Sequence, residues 1–251
     1  MPAKVGTPTS RVRACGPDRY EQSALIEMVD ICKVFKSAAG EFTVLKDINA
    51  CFYPGEFVSV VGRSGSGKST LVNMLTGIDH PSCGSVRIMD AYPHKMSESR
   101  MAVWRGHNLG VVFQFFQLLP MLSLLENTLL PMDFCNKYAP WEREERAMQL
   151  LDLVGLHKFA HELPAAISGG QQQSAAIARA LANDPPILVA DEPTGNLDSL
   201  AARHVMGIFD SLVEQGKTIL MVTHDRSLAE RTHRTLVLSD GELVDEIRRE
   251  K

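Results

Sequence analysis

The sequence has few cysteines, and they form no recognisable pattern. Only five occur among 251 residues, and none of them makes a C-x-x-C pair. They are scattered along the chain at Cys15, Cys32, Cys51, Cys83 and Cys135. An odd, scattered set argues against a disulfide framework and against a cysteine-based zinc site, and it indicates reduced thiols in a cytosolic setting.

An excess of positive charge is also missing. Lysine and arginine total 26 and aspartate and glutamate total 30, which gives a formal net charge of -4. A nucleic-acid-binding face requires a basic surface, so this composition does not favour such a partner. We therefore expect no nucleic acid to bind.

No stretch of the sequence has the features of a membrane-spanning or secretory segment. Residues 109–125 carry no charge, but glutamines, a proline and a serine interrupt them and Glu126 ends the run, which is short and polar for a spanning helix. Residues 1–22 are basic and proline-containing without an apolar core, so they are no secretory signal. We expect a disordered tail there, with electrostatic contact to anionic lipid as the alternative.

What the chain does contain is a globular composition with an α/β pattern. Hydrophobic residues make up 45% and charged residues 22%, which predicts a packed core in one large or two small domains. Predicted strands lie at 25–35, 44–52, 57–61, 85–89, 109–113, 187–190, 218–222, 235–239 and 243–247. Helical patterns dominate residues 115–163 and recur at 201–214 and 226–231. This order predicts a mainly parallel sheet with a helical insertion and a ligand at the carboxyl ends of the strands.

One glycine-rich turn organises the rest of the chain. It joins a predicted strand to a predicted helix and reads Gly62, Arg63, Ser64, Gly65, Ser66, Gly67, Lys68 and Ser69, with Thr70 next in the helix. This context fits a phosphate-binding P-loop. Glycines let backbone N–H groups surround an oxyanion, and the helix N-terminus adds further donors. Lys68 is expected to bridge the β- and γ-phosphates, and Ser69 to place its hydroxyl on Mg²⁺.

Four more side chains follow buried strands and are expected near the P-loop. We assign Asp191 to Mg²⁺ and Glu192 to the attacking water, because adjacent residues at a strand end face different ways. The amide of Gln114 can touch the metal or the water, and His224 can hydrogen-bond the γ-phosphate. A surface glutamine and a structural histidine are the alternatives for these two residues.

A second candidate anion site begins another predicted helix. It consists of Ser168, Gly169, Gly170 and Gln171, and a serine with two glycines at a helix start can bind an anion. Because the chain has a single P-loop, we infer that this segment completes a nucleotide site on another copy, in a head-to-tail dimer. A simple helix N-cap is the alternative. Phe35 is a candidate for stacking on a base, with core packing as its alternative.

In combination, these motifs resemble the ATP-binding subunits of ABC transporters. In family order they are the P-loop, a Q-loop at Gln114, a signature at 168–171, the acidic strand end, a D-loop at 195–198 and a switch histidine at His224. The resemblance covers roughly residues 24–248. Within the family, segments 114–120 and 191–198 are similar to the branch of macrolide exporters, lipoprotein-releasing ATPases and FtsE-type cell-division ATPases.

The resemblance implies an α/β fold of the P-loop NTPase, ABC ATPase type, over residues 23–251. Its mainly parallel core sheet would carry an antiparallel β subdomain and a helical subdomain at about 115–165. ATP and Mg²⁺ would be the cofactors. The implied site residues are Glu192, His224, Gln114 and Lys68 for catalysis, Ser69, Gln114 and Asp191 for the metal, and Phe35, 62–70, 168–171 and Asp198 for the nucleotide.

The resemblance also implies a function. Two copies would close on two ATP–Mg²⁺ and drive a separate integral membrane permease from the cytoplasmic face of the membrane, for export or extraction. The groove for the permease helix would use five apolar residues, for which core packing is the alternative. They are Phe115, Phe116, Leu118, Leu119 and Met121.

Other functions remain open at this point. In one, ATP-driven closure signals through a membrane protein, as in cell division, without transport. A soluble ABC ATPase of DNA repair or translation is less favoured, because a coiled-coil insertion, tandem domains and a cysteine cluster are missing. A P-loop kinase would not need residues 168–171. The family usually has Arg at position 174 and Leu at position 167, where this chain has Ser174 and Ile167. We expect the chain still to hydrolyse ATP, and Ser174 does not predict the rate.

Overall fold

A computed structural model describes residues 23–38 and 40–249 of the chain. The predicted tail at residues 1–22 lies outside the described residues. The strands are β1 (Ile26–Ser37), β2 (Gly40–Phe52), β3 (Phe57–Val61), β4 (Cys83–Ile88), β5 (Leu109–Val112), β6 (Ile187–Asp191), β7 (Thr218–Thr223), β8 (Arg234–Ser239) and β9 (Glu242–Arg248). The helices are α1 (Lys68–Thr76), α2 (Glu98–Asn108), α3 (Leu124–Cys135), α4 (Pro140–Leu153), α5 (Gly169–Ala180), α6 (Ser199–Glu214) and α7 (Arg226–Ala229).

The larger sheet has six strands in the order β5-β6-β7-β3-β8-β9. All neighbours pair in parallel except β8 and β9, which form an antiparallel hairpin. Asp240 and Gly241 connect that hairpin with φ angles of 50° and 82°, as a type I′ turn requires. The P-loop and His224 follow the carboxyl ends of β3 and β7, and Asp191 is the last residue of β6; these three strands are neighbours in the sheet.

Alternate residues of the central strands face two different cores. In β6, Leu188 and Ala190 pack among helices α3 to α6, whereas Ile187 and Val189 pack among α1 and the smaller sheet. Both faces are buried, which explains why the strand reads as a continuous apolar run. The P-loop helix α1 and the signature helix α5 therefore lie on opposite faces of the sheet.

The smaller sheet is antiparallel, with the order β2-β1-β4. Residues 44–52, predicted as one or two strands, belong to the single strand β2. The β1–β2 hairpin pairs Ser37 with Gly40 and Phe35 with Phe42. Cys32, Cys83 and Cys135 are free thiols, but Cys51 is disulfide-bonded, so the expectation of reduced thiols is wrong for that residue.

Between β5 and α5 the chain forms the helical insertion, which is built from α3, α4 and short turns. Pro140 is in the first turn of α4, and Gly155 follows its C-terminus with a φ of 74°. Glu142 and Arg146 have the i, i+4 spacing that favours a surface ion pair, but each of them binds another group. Glu142 accepts a hydrogen bond from the Ala139 N–H at 3.0 Å, and Arg146 donates to the carbonyl of Ala182 at 2.7 Å.

Helix α2 was not predicted from the sequence. Within this described helix only Met101 is buried, so the segment lacks the apolar stripe that identifies an amphipathic helix. Among the described residues, no helix has both the length and the apolar character that a membrane span requires.

Candidate nucleotide site

The P-loop joins β3 to α1. Several of its positions have backbone conformations or close contacts that only glycine tolerates. Gly65 and Gly67 have φ angles of 80° and 103°. A Cβ on Gly67 would lie 2.9 Å from Leu45 Cδ2 and 3.0 Å from the Val44 carbonyl oxygen. A Cβ on Gly62 would lie 2.4 Å from a backbone oxygen of β8. The loop therefore needs glycine for backbone conformation and for close packing.

Lys68 extends back over the loop that precedes it. Its Nζ donates to the carbonyls of Gly62 and Arg63 at 2.9 and 3.0 Å, and it lies 3.9 Å from Glu192 Oε1. Only 8% of the lysine side chain is exposed. A buried ammonium held by two neutral carbonyls is well placed to exchange them for phosphate oxygens, which are stronger acceptors.

Asp191 ends β6 beside Ser69 and has an orphaned oxygen. Its Oδ1 is buried and has no hydrogen-bond partner among the described residues. Burial raises the pKa of Asp191, and the nearby Glu192 charge adds to this, while the Ser69 hydroxyl and Lys68 oppose it. An unpartnered carboxylate oxygen beside a hydroxyl offers the oxygen ligands that Mg²⁺ prefers, so these residues fit the metal.

Glu192 is held firmly by His224. The residue has a φ of 49°, and its Oε2 accepts hydrogen bonds from Nδ1 and from the backbone N–H of His224, at 2.8 and 3.2 Å. The backbone N–H of Glu192 donates to the Val222 carbonyl of β7 at 2.9 Å. Two neighbouring strands thus place one carboxylate oxygen on the histidine and leave the other 3.9 Å from Lys68.

A cavity of about 630 Å³ opens above the P-loop and collects most of these groups. Its walls are Phe42, Val44, Ser64, Gly65, Gly67, Lys68, Ser69, Thr70, Gln114, Glu192 and His224. Gly62, Arg63 and Ser66 belong to the loop behind this surface. The structure therefore brings together residues from five separate segments of the chain. Four of them are the P-loop, Gln114, Glu192 and His224, and the fifth is the part of β2 that contains Phe42 and Val44.

The signature segment is not part of this cavity wall. Ser168 caps α5 by accepting from the Gln171 N–H at 3.3 Å, while Gln171 Oε1 accepts from the Ser168 N–H at 2.9 Å. A Cβ on Gly170 would lie 2.6 Å from the Ala201 Cβ, so this glycine allows α5 to pack closely on α6. Asp198 caps α6, accepting from two backbone N–H groups at 2.9 Å.

The aromatic candidate Phe35 has a partner that the sequence analysis missed. Phe35 is 44% exposed and pairs across the hairpin with Phe42, which is 68% exposed and lines the cavity. Lys33 Nζ lies 4.9 Å from the Phe35 ring centroid. The hairpin turn between residues 37 and 40 sets this register, so placing that turn would have identified Phe42.

Two further contacts, made by Arg179 and by Asn196 of the D-loop, hold the segment around Gln114. Arg179 of α5 donates to the carbonyls of Phe116 and Gln117 at 2.8 and 2.5 Å. Phe116 and Gln117 have φ angles of 57° and 52°, which non-glycine residues adopt at a cost. The Asn196 side chain donates to the Gln114 carbonyl at 3.2 Å. No simple sequence pattern marks these contacts.

Comparison with known proteins gives consistent matches. The family described as ABC transporter matches residues 45–195. The lipoprotein-releasing system ATP-binding protein LolD of Aquifex aeolicus is 47% identical over 208 residues, covering 83% of this chain and 92% of that protein. The macrolide export ATP-binding/permease protein MacB of Bartonella henselae is 41% identical over 224 residues, which is 89% of this chain but 34% of MacB.

A solved structure agrees with the fold. The ATP-binding cassette MJ0796, in a dimeric post-hydrolysis state bound to ADP and Pi, superposes with a TM-score of 0.83 at 40% identity, covering 89% of this chain and 98% of that one. The P-loop cavity, the Glu192–His224 pair and these matches agree. The chain therefore belongs to the ABC transporter family, as an ATP-binding cassette with ATPase activity.

Proposed function

We propose that this chain is the ATPase subunit of a membrane exporter or extractor and works as a head-to-tail dimer that encloses two ATP–Mg²⁺. One observation carries the proposal. The cavity contains Lys68, Glu192 and His224, while the signature segment lies on α5, on the other face of the sheet. One subunit therefore contains a P-loop half-site and a signature half-site, and its own P-loop does not use its own signature segment.

Hydrolysis follows from the arrangement of this chain's own groups. The N–H groups of the P-loop and Lys68 bind the phosphates, with Lys68 leaving the Gly62 and Arg63 carbonyls. Glu192, oriented by His224, positions water for in-line attack on the γ-phosphorus. Bound Mg²⁺ would neutralise charge on the β- and γ-phosphates.

The metal would be held by three residues that the P-loop and the strand ends bring together. They are Ser69, Asp191 and Gln114. The buried, unpartnered Oδ1 of Asp191 supports this assignment. Gln114 lines the same cavity as Ser69, and its backbone is tied to the D-loop through Asn196. Movement of this glutamine with the helical insertion is the proposed link between the metal site and the permease.

The second half-site is the signature of the partner copy. Ser168 is exposed at the N-terminus of α5, where unpaired N–H groups and the helix dipole favour an anion. Symmetry of a two-fold dimer makes both composite sites equivalent. The dimeric cassette structures of MJ0796, a relative at 40% identity, support a dimer for this chain.

The permease is proposed to dock beside the Q-loop, at the cytoplasmic face of the membrane. Of the five apolar residues predicted for this role, Phe115, Leu119 and Met121 are 72%, 48% and 86% exposed. Phe116 and Leu118 turn inward, towards Gly169 and the helical core. A groove of about 290 Å³ adjoins them, between the edge strand β5, α2 and α5.

A helix of a membrane permease fits this surface. The groove has both apolar and polar walls, among them Val111, Pro131 and Asn183, and is formed partly by β5, which is the edge strand of the sheet. The relative MacB is named a macrolide export ATP-binding/permease protein, and the relative LolD is named the ATP-binding protein of a lipoprotein-releasing system. These names favour export or extraction over signalling without transport. Co-purification from membranes with a Phe115→Asp variant as control identifies the partner.

A subunit-mixing experiment tests the composite site. Lys68→Ala disables the P-loop of one chain. Ser168→Asp keeps the helix cap, because aspartate is also a good N-cap, but places negative charge against the phosphate. Each variant alone should be inactive. A 1:1 mixture should recover about a quarter of the wild-type rate, since half of the dimers carry one intact site out of two.

The control for the cap substitution is Ser97→Asp, which changes the N-cap of α2 away from the nucleotide. It should leave the ATPase rate unchanged. If the mixture of Lys68→Ala and Ser168→Asp chains stays inactive while each still binds nucleotide, the two half-sites do not combine. If Ser168→Asp alone is fully active, the signature does not contact phosphate, and the head-to-tail dimer is wrong.

A further inference from the structure

Two free cysteines face each other across the antiparallel sheet. Cys32 of β1 and Cys83 of β4 are direct cross-strand partners in the ladder, after an irregularity in β1. Directly opposite residues point to the same face with Cβ atoms about 4.5–5.5 Å apart. A disulfide requires Cα atoms about 4.4–6.8 Å apart, which both kinds of antiparallel pair satisfy. The backbone thus already presents the two thiols to each other.

The two sulfur atoms converge on one acceptor. Cys32 Sγ lies 3.7 Å and Cys83 Sγ 3.9 Å from the carbonyl oxygen of Asp30. Cys83 is exposed and Cys32 is half-buried. A small reagent can therefore reach Cys83 more easily than Cys32, and the Cys32 thiol lies next to Cys83.

We propose that Cys83 and Cys32 form a site of reversible thiol–disulfide exchange. Cys83 reacts with a low-molecular-weight disulfide such as oxidised glutathione, and Cys32 resolves the product into a cross-strand disulfide. The proposal does not depend on the nucleotide site or on the permease.

The exchange balances in two steps. The Cys83 thiolate attacks one sulfur of the small disulfide, forming a mixed disulfide and releasing one small thiolate. Cys32 then loses its proton to solvent and attacks Cys83 Sγ, which releases the second small thiolate. The protein loses two protons and two electrons in total, and one molecule of small disulfide is reduced to two thiols.

The surroundings of Cys32 make the second step the slow one. Burial raises the pKa of Cys32 to about 11, with a further contribution from Cys83. The Asp47 carboxylate on β2 lies 3.4 Å from its sulfur. The neighbouring cation, Lys33, is engaged by Asp79 at 2.7 Å. Few Cys32 thiolates exist near neutral pH, so closure should accelerate about tenfold per pH unit.

Peptide mapping of the full-length chain tests the site. The protein is incubated with oxidised glutathione, quenched in acid and digested with trypsin without reductant. Cleavage after Lys and Arg places Cys32, Cys83 and Cys135 in separate peptides, residues 20–33, 69–87 and 106–137. Glutathione should appear first on 69–87, and a linked 20–33/69–87 pair should follow, about tenfold faster at pH 8.5 than at pH 7.5.

Three serine variants separate the roles. Cys32→Ser should retain a persistent glutathione adduct on Cys83, and Cys83→Ser should give neither adduct on Cys32 nor linked peptide. Cys135→Ser, at a half-buried free thiol elsewhere, should behave as wild type. The proposal is overturned if Cys83 is not modified faster than Cys135, or if modified Cys83 never links to Cys32. Closure at one rate at both pH values would contradict the role of Cys32.

Discussion

At the scale of single residues, two adjacent carboxylates in the site have opposite surroundings. Asp191 is half-buried and has one buried oxygen without a hydrogen-bond partner among the described residues, whereas one oxygen of Glu192 accepts two hydrogen bonds from His224. These surroundings support the roles proposed above, with the first carboxylate for a cation and the second for the attacking water.

The stability of the nucleotide-free protein tests the state of Asp191. Because burial raises the pKa of Asp191, the charged carboxylate destabilises the folded state above that pKa, and the penalty disappears below the ordinary value of about 3.9. Asp191→Asn should therefore raise Tm at pH 7, and the gain should shrink as pH falls. Thermal unfolding from pH 8 to pH 4 measures this, with the exposed Asp90→Asn as control. An equal gain at every pH would contradict the argument.

Removing the base should separate binding from turnover. Glu192→Gln keeps the size of the side chain and can still hydrogen-bond His224, but it cannot accept a proton from water. We expect nucleotide affinity within a few-fold of wild type and an ATPase rate about 10²–10⁴-fold lower. Glu214→Gln, an exposed glutamate at the end of α6, is the matched control. Turnover at the normal rate in Glu192→Gln would show that another group activates the water.

At the scale of elements, the conformations of the P-loop and the Q-loop each depend on a neighbouring helix. The first depends on Gly67 at the start of α1, and the second on Arg179 of α5. Local sequence predicts the first, because glycine itself is the signal. The second depends on a contact between residues 63 positions apart.

Two glycine substitutions should have opposite effects. Gly67→Ala places a Cβ 2.9 Å from Leu45 at a φ of 103°, so we expect loss of about 1–3 kcal/mol in the free energy of unfolding and weaker nucleotide binding. Gly207→Ala meets no atom within 4 Å inside α6 and should stabilise by about 0.5–1 kcal/mol. Urea unfolding of both variants gives the comparison. Similar changes in both would mean that the loop tolerates a side chain.

Arg179→Ala should loosen the Q-loop while sparing the P-loop. It removes two donors from the carbonyls of Phe116 and Gln117, a local loss of about 1–3 kcal/mol. Hydrogen exchange should rise over residues 115–119, and nucleotide affinity should stay close to wild type. Arg203→Ala, exposed on α6, serves as control. Unchanged exchange in Arg179→Ala would show that other contacts hold the loop.

At the scale of the whole molecule, the sheet separates the two halves of the proposed composite site. α1 belongs to one core and α5 to the other, which supports the proposal that a second copy closes each site. In this proposal the bound nucleotide connects the two subunits. Dimerisation should depend on ATP and Mg²⁺ rather than on an extensive permanent interface.

The dimer can be trapped and released. Glu192→Gln with ATP and Mg²⁺ should elute at twice the monomer mass in size exclusion with light scattering. Chelation of Mg²⁺ should return it to monomer, because the charge of the triphosphate is no longer offset. Addition of Ser168→Asp to the same chain should prevent the dimer. A dimer that persists without nucleotide would rule out this mode of assembly.

Much of the fold was predictable because its signals are local. The apolar runs of β3, β6 and β7, the type I′ turn at Asp240-Gly241 and the proline start of α4 all appear where local patterns place them. The helix α2 was missed because it buries one residue. Glu142 and Arg146 do not pair despite their i, i+4 spacing, because capping of α4 and the carbonyl of Ala182 provide other partners.

The sequence by itself determined the P-loop, the acidic strand end and the positions of Gln114 and His224, because each depends on a strand followed at once by a polar residue. Only the tertiary structure decided that Phe42 faces the cavity, that Arg179 holds the Q-loop and that Cys32 meets Cys83. These contacts depend on strand register and helix packing, which join residues far apart in the chain. The same packing places α1 and α5 on opposite sides of one sheet, which no local pattern contains.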